Sequence, residues 1–167
     1  MKLKFLIIVL YLSTLQARNV VVKMATLAPE GTDWHGMLIE MGQEWKEATK
    51  GKVKLRIYPG GVLGDERDMV RKMRIGQIHA AGMTAEGLSE IVPEFAGYFV
   101  PLVYQNVEDV QAVTNEILPQ LETNLEKSGF KLLYLGELTW AYWFSAQPIK
   151  TPSDLKKSKF FTWAGDF

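Results

Sequence analysis

Val20-Val-Val-Lys-Met-Ala-Thr26, followed by Leu27-Ala-Pro-Glu-Gly31, decides the fold. Seven residues rich in β-branched side chains read as a strand, and the Pro/Gly cluster behind them ends it. Asp33 fits a helix N-cap. Trp34, Met37, Leu38, Met41, Trp45 and Ala48 then recur at spacings of three and four, while Glu40, Glu44, Lys46 and Glu47 fall on other faces. That is an amphipathic helix closing at Lys50-Gly51. From Lys52 to Tyr58 the pattern changes to alternation, with Val53, Leu55 and Ile57 against Lys54 and Arg56. A strand, a helix and a strand within forty residues predict a parallel βαβ unit, because a right-handed helical crossover is the usual way to join parallel neighbours.

Working outward, Pro59-Gly-Gly-Val-Leu-Gly64 breaks the chain before a second helix over about Asp65–Ile75, and Gln77–Met83 reads as a strand of small residues. Pro93 and Pro101 bracket a looser aromatic stretch. Val107, Val110, Val113, Ile117, Leu121 and Leu125 have helical spacing, with Pro119 implying a kink or a fresh helix start. Lys131–Leu138, Ala141–Gln147 and Lys159–Trp163 read as strands, and Thr151-Pro-Ser-Asp-Leu155 as a helix start. The fold class is α/β. Ligands on such sheets lie beyond the carboxyl ends of the strands, which directs attention to Thr26–Trp34, Pro59–Gly64 and Met83–Leu88.

Composition narrows the function. The 167 residues are 47% hydrophobic and 23% charged, as in an ordinary globular domain. Nineteen Lys+Arg balance nineteen Asp+Glu, so no basic surplus points to nucleic acid. The absence of cysteine excludes disulfides, thiolate zinc sites and Cys nucleophiles. Residues 1–17 carry Lys2 and Lys4, an apolar run from Phe5 to Leu12, and Ala17 at a small-residue position. This is the order of a secretory leader, too short to cross about 30 Å of hydrocarbon; the alternative is a buried N-terminal strand. Without the leader, 17 positive and 19 negative side chains leave a net charge of −2.

Several motifs have ordinary readings. The Gly60–Gly64 cluster lacks the Lys-Ser/Thr of a nucleotide-binding loop. His35 and His79 are in no zinc-hydrolase pattern; the first reads as a helix-start surface group, the second as a strand residue. There is no Gly-x-Ser-x-Gly elbow. Asp65-Glu66-Arg67-Asp68 reads as acidic helix-start chemistry, favoured by the helix dipole. Trp140, Tyr142, Trp143, Phe161 and Trp163 fall within 24 residues, which suits either a core or the wall of an apolar pocket.

Ala28-Pro-Glu-Gly with Trp34-His35, Ile57-Tyr-Pro-Gly-Gly-Val-Leu-Gly-Asp-Glu66, Gly76-Gln-Ile-His79, Val92-Pro-Glu-Phe95, Pro101-Leu-Val-Tyr104 and Pro148-Ile-Lys-Thr-Pro-Ser-Asp-Leu-Lys156 occur in order. On these segments the chain resembles the solute-binding subunits of tripartite ATP-independent periplasmic (TRAP) transporters, the dicarboxylate-binding-protein (DctP-like) family. The resemblance covers about half of a usual member. It implies a periplasmic-binding-protein fold of two α/β lobes joined by hinge strands. Residues 1–17 would be the signal peptide, 18–138 the first lobe, and 139–167 the hinge strands and start of a truncated second lobe. It implies no cofactor, no metal and no nucleic acid. The partners it implies are a small-molecule ligand and the membrane permease subunits.

Members of the family place an Arg on the ligand carboxylate in the strand after the Asp-Leu-Lys motif, and often another in the preceding hinge strand. Those positions correspond here to Phe161 and Ala141. A buried carboxylate without a paired cation carries a desolvation cost of several kcal/mol. A largely apolar ligand is therefore expected, lined by Trp140, Tyr142, Phe161 and Trp163. Thr26, Glu30, Trp34, Thr84 and Glu86 are the expected contacts from the strand ends. Two other readings remain open: a truncated remnant that no longer binds, and a small periplasmic enzyme using Glu30 or Glu86. The enzyme reading lacks any base, metal or nucleophile constellation.

Overall fold

The structure is a computed structural model that describes residues 19–136, 142 and 144–159. β1 (Val20–Thr26) is the centre of a three-stranded parallel sheet of order β2-β1-β3, with β2 over Val53–Tyr58 and β3 over Ala80–Gly82. Its register runs from Val20 opposite Val53 to Ala25 opposite Tyr58 on one side, and from Met24 opposite Ala80 to Thr26 opposite Gly82 on the other.

α1 (Asp33–Ala48) joins β1 to β2, and α2 (Glu66–Arg74) joins β2 to β3. Gly42 of α1 lies against Leu55, 3.1 Å from Leu55 Cβ at its absent Cβ position, so α1 covers the face carrying Leu55 and its register partner Val22. Met69 of α2 packs with Ala25 and Ile78, and Ala25 points the other way from Val22 because side chains alternate along a strand. The sheet is thus wound on both faces, and β1 is where the winding reverses. Beyond it come α3 (Ala85–Ser89), a 3-10 helix over Pro93–Phe99, α4 (Val107–Lys127) and α5 (Pro152–Leu155). Val92, Phe95, Leu121 and Leu125 form a second buried cluster, which anchors α4 to the 3-10 helix.

Local chemistry corrects several sequence expectations. The cap of α1 is Thr32, not Asp33: Thr32 has extended backbone, and its hydroxyl accepts the His35 amide at 3.3 Å. Asp33 becomes the first helical residue, where its charge faces the helix dipole. His35 is buried, not a surface group, because its Nδ1 turns inward to accept the Gly31 amide at 3.2 Å. β3 is shorter than Gln77–Met83. The Gln77 amide closes the end of α2 on the Lys72 carbonyl (2.9 Å), and His79 replaces a ladder partner with its side chain, whose Nδ1 accepts the Lys23 amide at 3.0 Å.

α4 is continuous across Pro119, without a kink point dividing it into two helices. The carbonyl deprived of a donor is that of Asn115, and both residues are exposed, where an unpaired carbonyl costs little. Lys131–Gly136 forms no strand, nor do Tyr142 and residues 144–147. An extended segment becomes a strand only with a neighbour to complete its ladder. Ser145 instead makes a local turn, donating its hydroxyl to the Gln147 carbonyl at 2.7 Å. Most of the expected strand at Lys159–Trp163 lies outside the described residues.

Candidate functional site

In a doubly wound sheet the crevice opens beyond the carboxyl ends of the strands that flank the reversal of winding, here β1 and β3. The loops leaving β1 and β2 are tied together by backbone. Gly61 donates its amide to the Thr26 carbonyl (3.1 Å) and Gly60 to the Ala28 carbonyl (2.8 Å). Both glycines have positive φ, 63° and 70°, which lets two consecutive amides turn back toward β1. Lys72 secures the end of the same loop by donating from Nζ to the Leu63 carbonyl at 2.7 Å. α2 therefore starts beside the end of β1, and the bond from the Thr84 amide to Glu66 brings the segment after β3 to the same place.

A cleft forms there. Leu27 follows β1; Asp65, Glu66 and Arg67 open α2; Thr84, Glu86 and Gly87 follow β3; and Glu90 ends the turn after α3. Its volume is about 90 Å³, well below the roughly 300–1,000 Å³ of a small-molecule pocket, so it constitutes one wall and not an enclosure.

The wall is cross-linked by two side-chain contacts. Glu66 takes both donors of Thr84: the amide reaches Oε1 at 2.6 Å and the hydroxyl reaches Oε2 at 2.7 Å. Arg67 donates from Nε and Nη2 to Glu90 Oε1 at 3.1 and 2.9 Å. The hydrogen bond and charge of Glu90 raise the guanidinium pKa above its ordinary value. Asp65 caps α2 by accepting the Asp68 amide at 2.9 Å. Helix-start chemistry is thus the work of Asp65. Glu66, its neighbour, serves a contact eighteen residues away, and the sequence reading missed it together with Arg67 and Glu90. Their only local signal was membership of the charged run after Gly64.

Of the expected contact residues, Thr84 and Glu86 line this cleft. Thr26 does not: it is 2% exposed, and its hydroxyl accepts the Ala28 amide at 3.2 Å, bracing the turn after β1. Glu30 is exposed on that turn and Trp34 is half-buried in the first turn of α1; neither is part of the cleft lining. Tyr142 is exposed and away from the lining. Trp140, Phe161 and Trp163 lie outside the described residues, as does Ala141. Among the described residues no group of three His, Asp or Glu side chains is placed to hold a metal ion, and no helix is long and apolar enough to cross a membrane.

Comparison with known proteins converges on one family. Residues 24–164 match DctP, the bacterial extracellular solute-binding proteins of family 7. A solute-binding protein of Roseobacter denitrificans is 28% identical over 145 residues, covering 86% of this chain and 44% of the relative. The 2,3-diketo-L-gulonate-binding periplasmic protein of Escherichia coli is 29% identical over 119 residues, 70% of this chain and 36% of the relative. The chain spans less than half the length of these relatives. Among solved structures, a TRAP periplasmic solute-binding protein of R. denitrificans with bound L-galactonate superposes with a TM-score of 0.58 at 26% identity, covering 67% of this chain and 37% of that one. One from Citrobacter koseri with bound D-glucuronate gives 0.56 at 27% identity, covering 65% and 37%.

Proposed function

Because this chain belongs to family 7 of the bacterial extracellular solute-binding proteins, we propose that it captures a small organic acid outside the cytoplasm and hands it to the membrane permease of a TRAP transporter. Capture without chemical change is the activity of such a protein. The observation that carries the reading is the position of the cleft: Thr84, Glu86 and Leu27 meet where a doubly wound sheet presents its ligand. In this proposal residues 1–17 are an export leader, 18–138 the first lobe, and 139–167 the hinge strands and start of a second lobe. A second lobe would supply the walls that a 90 Å³ cleft lacks.

The ligand class follows from the wall. Its described lining carries five charged side chains and the Thr84 hydroxyl beside Leu27 and Gly87, and relatives carry L-galactonate and D-glucuronate, both six-carbon hydroxylated acids. We therefore favour a hydroxylated acid over the largely apolar ligand expected from Phe161 and Ala141. Thr84 and Glu86 are the proposed contacts, with Trp140, Tyr142, Phe161 and Trp163 as candidates to stack on the sugar carbons. Thr26 acts by bracing the turn after β1, which carries Glu30.

Calorimetric titration of the protein in its full encoded length tests this. D-Glucuronate or L-galactonate is expected to bind with a Kd of about a micromolar, near −8 kcal/mol. Phenylacetate is expected to bind at least about tenfold more weakly, a difference of roughly 1.4 kcal/mol. Tight binding of phenylacetate alone, or of no acid, would overturn the reading.

A further inference from the structure

We propose that Glu66 makes this wall of the cleft select ligand hydroxyl groups over ligand carboxylates, by fixing Thr84 as a hydrogen-bond acceptor. The inference rests on the capture of a small organic acid proposed above and names the part of it that this wall reads.

Thr84 brings two donors to the cleft, its amide and its hydroxyl. Both end on Glu66, at 2.6 and 2.7 Å. An ionised carboxylate has no proton to give, so the direction of the hydroxyl bond is set: Thr84 donates to Glu66 and keeps its oxygen lone pairs for whatever enters. Thr84 is exposed, so those lone pairs are accessible. The other groups of the wall point the same way. Glu86 is a carboxylate, and the cation of the lining, Arg67, has Nε and Nη2 engaged on Glu90. A surface of acceptors satisfies an incoming hydroxyl, which brings its own proton. It disfavours an incoming carboxylate, whose charge would meet four carboxylates, Asp65, Glu66, Glu86 and Glu90, against the single guanidinium of Arg67.

Packing seats Glu66 for this task independently of the hydrogen bonds. Gly87 is buried against it, and a β-carbon at Gly87 would stand 2.7 Å from Glu66 Oε2 and 2.9 Å from Glu66 Cβ. The carboxylate occupies space that any other residue at 87 would take. The Asp65 cap fixes the backbone from the other side. Glu66 is a positioning residue: it acts on the ligand through Thr84.

Glu66→Gln separates this role from a structural one. The introduced amide has the same shape but can offer its N–H to the Thr84 oxygen, freeing the Thr84 proton to point into the cleft. D-Glucuronate and succinate are titrated into the full-length wild type, Glu66→Gln, Thr84→Ser and Thr84→Val, with melting temperatures recorded for each. The wild type is expected to prefer D-glucuronate. Glu66→Gln should weaken D-glucuronate about tenfold or more while leaving succinate unchanged or tighter. Thr84→Ser should keep the wild-type ratio and Thr84→Val should lose it. A ratio unmoved by Glu66→Gln, or an equal loss for both acids, overturns the proposal and leaves capture standing. A wild type that binds neither acid overturns capture and this proposal together.

Discussion

Gly87 approaches Glu66 so closely that a β-carbon built on the glycine would lie 2.7 Å from the carboxylate oxygen and 2.9 Å from Glu66 Cβ. The first neighbour is the end of a side chain and can swing away. The second is fixed to the α2 backbone and cannot. Two effects of Gly87→Ala therefore compete. Alanine in a helix is favoured over glycine by roughly 0.5–1 kcal/mol, and overpacking costs about 1–3 kcal/mol. Overpacking wins.

Gly87→Ala is accordingly expected to lower stability by about 1–2 kcal/mol, read as a shift of the urea midpoint at unchanged slope. Adding Glu66→Ala should recover part of that loss, because one of the two clashing groups is removed. Losses that simply add would show that the two residues do not share this contact.

Met69 and Leu102 bound the range of packing effects. Met69 is fully buried between Ala25 and Ile78, so Met69→Ala should cost about 2–5 kcal/mol. Leu102 is 96% exposed, with a φ of 65° that disfavours any side chain. Leu102→Gly should stabilise by about 1 kcal/mol, the left-handed penalty offset by the glycine's chain entropy. Thermal melts of the two variants should move in opposite directions.

Asp154 closes the cap of α5, accepting the Thr151 hydroxyl at 2.9 Å and the Lys150 and Thr151 amides at 3.1 and 2.9 Å. The Thr151 hydroxyl, and then the two amides, hold its pKa below the ordinary aspartate value. A folded-state pKa that is lowered means the unfolded chain binds the proton more readily. The cap's contribution is complete above the ordinary aspartate range and is lost as pH falls through the lowered value. An NMR titration should show Asp154 midway below an unstructured aspartate, with the Thr151 amide shifting at the same pH. Asp154→Asn should abolish that coupled shift.

Export is checked by mass. Protein recovered from the periplasm should lack residues 1–17 and begin at Arg18 or close to it. An intact Met1 in a cytosolic pool would contradict the leader.

β1, α1, β2 and α2 were legible along the chain because each depends on neighbours a few residues away. Val20–Thr26 has a strand's composition, Trp34 to Ala48 a helix's period, and Lys50-Gly51 a helix's end. The parallel order follows from their alternation, and the strand ends direct attention to the region where the cleft lies. The site itself was legible only in part. Thr84 and Glu86, which line the cleft, stand out in the sequence because they follow a strand of small residues. Glu66 was read as an acid at a helix start, which is a true local description of a residue whose partner lies in another loop.

The same division runs through the molecule. Local patterning by itself determined the α/β class, the βαβα order and the family motifs, since periodicity, capping and turn chemistry are written within a dozen residues. Only the tertiary structure decided that the His79 ring accepts the Lys23 amide, and that Thr84 gives both its protons to Glu66. Each of these depends on which distant group satisfies a donor or an acceptor. A hydrogen bond of about 2.7 Å between residues 66 and 84 exists only because β1 brings the start of α2 and the end of β3 to the same edge of the sheet.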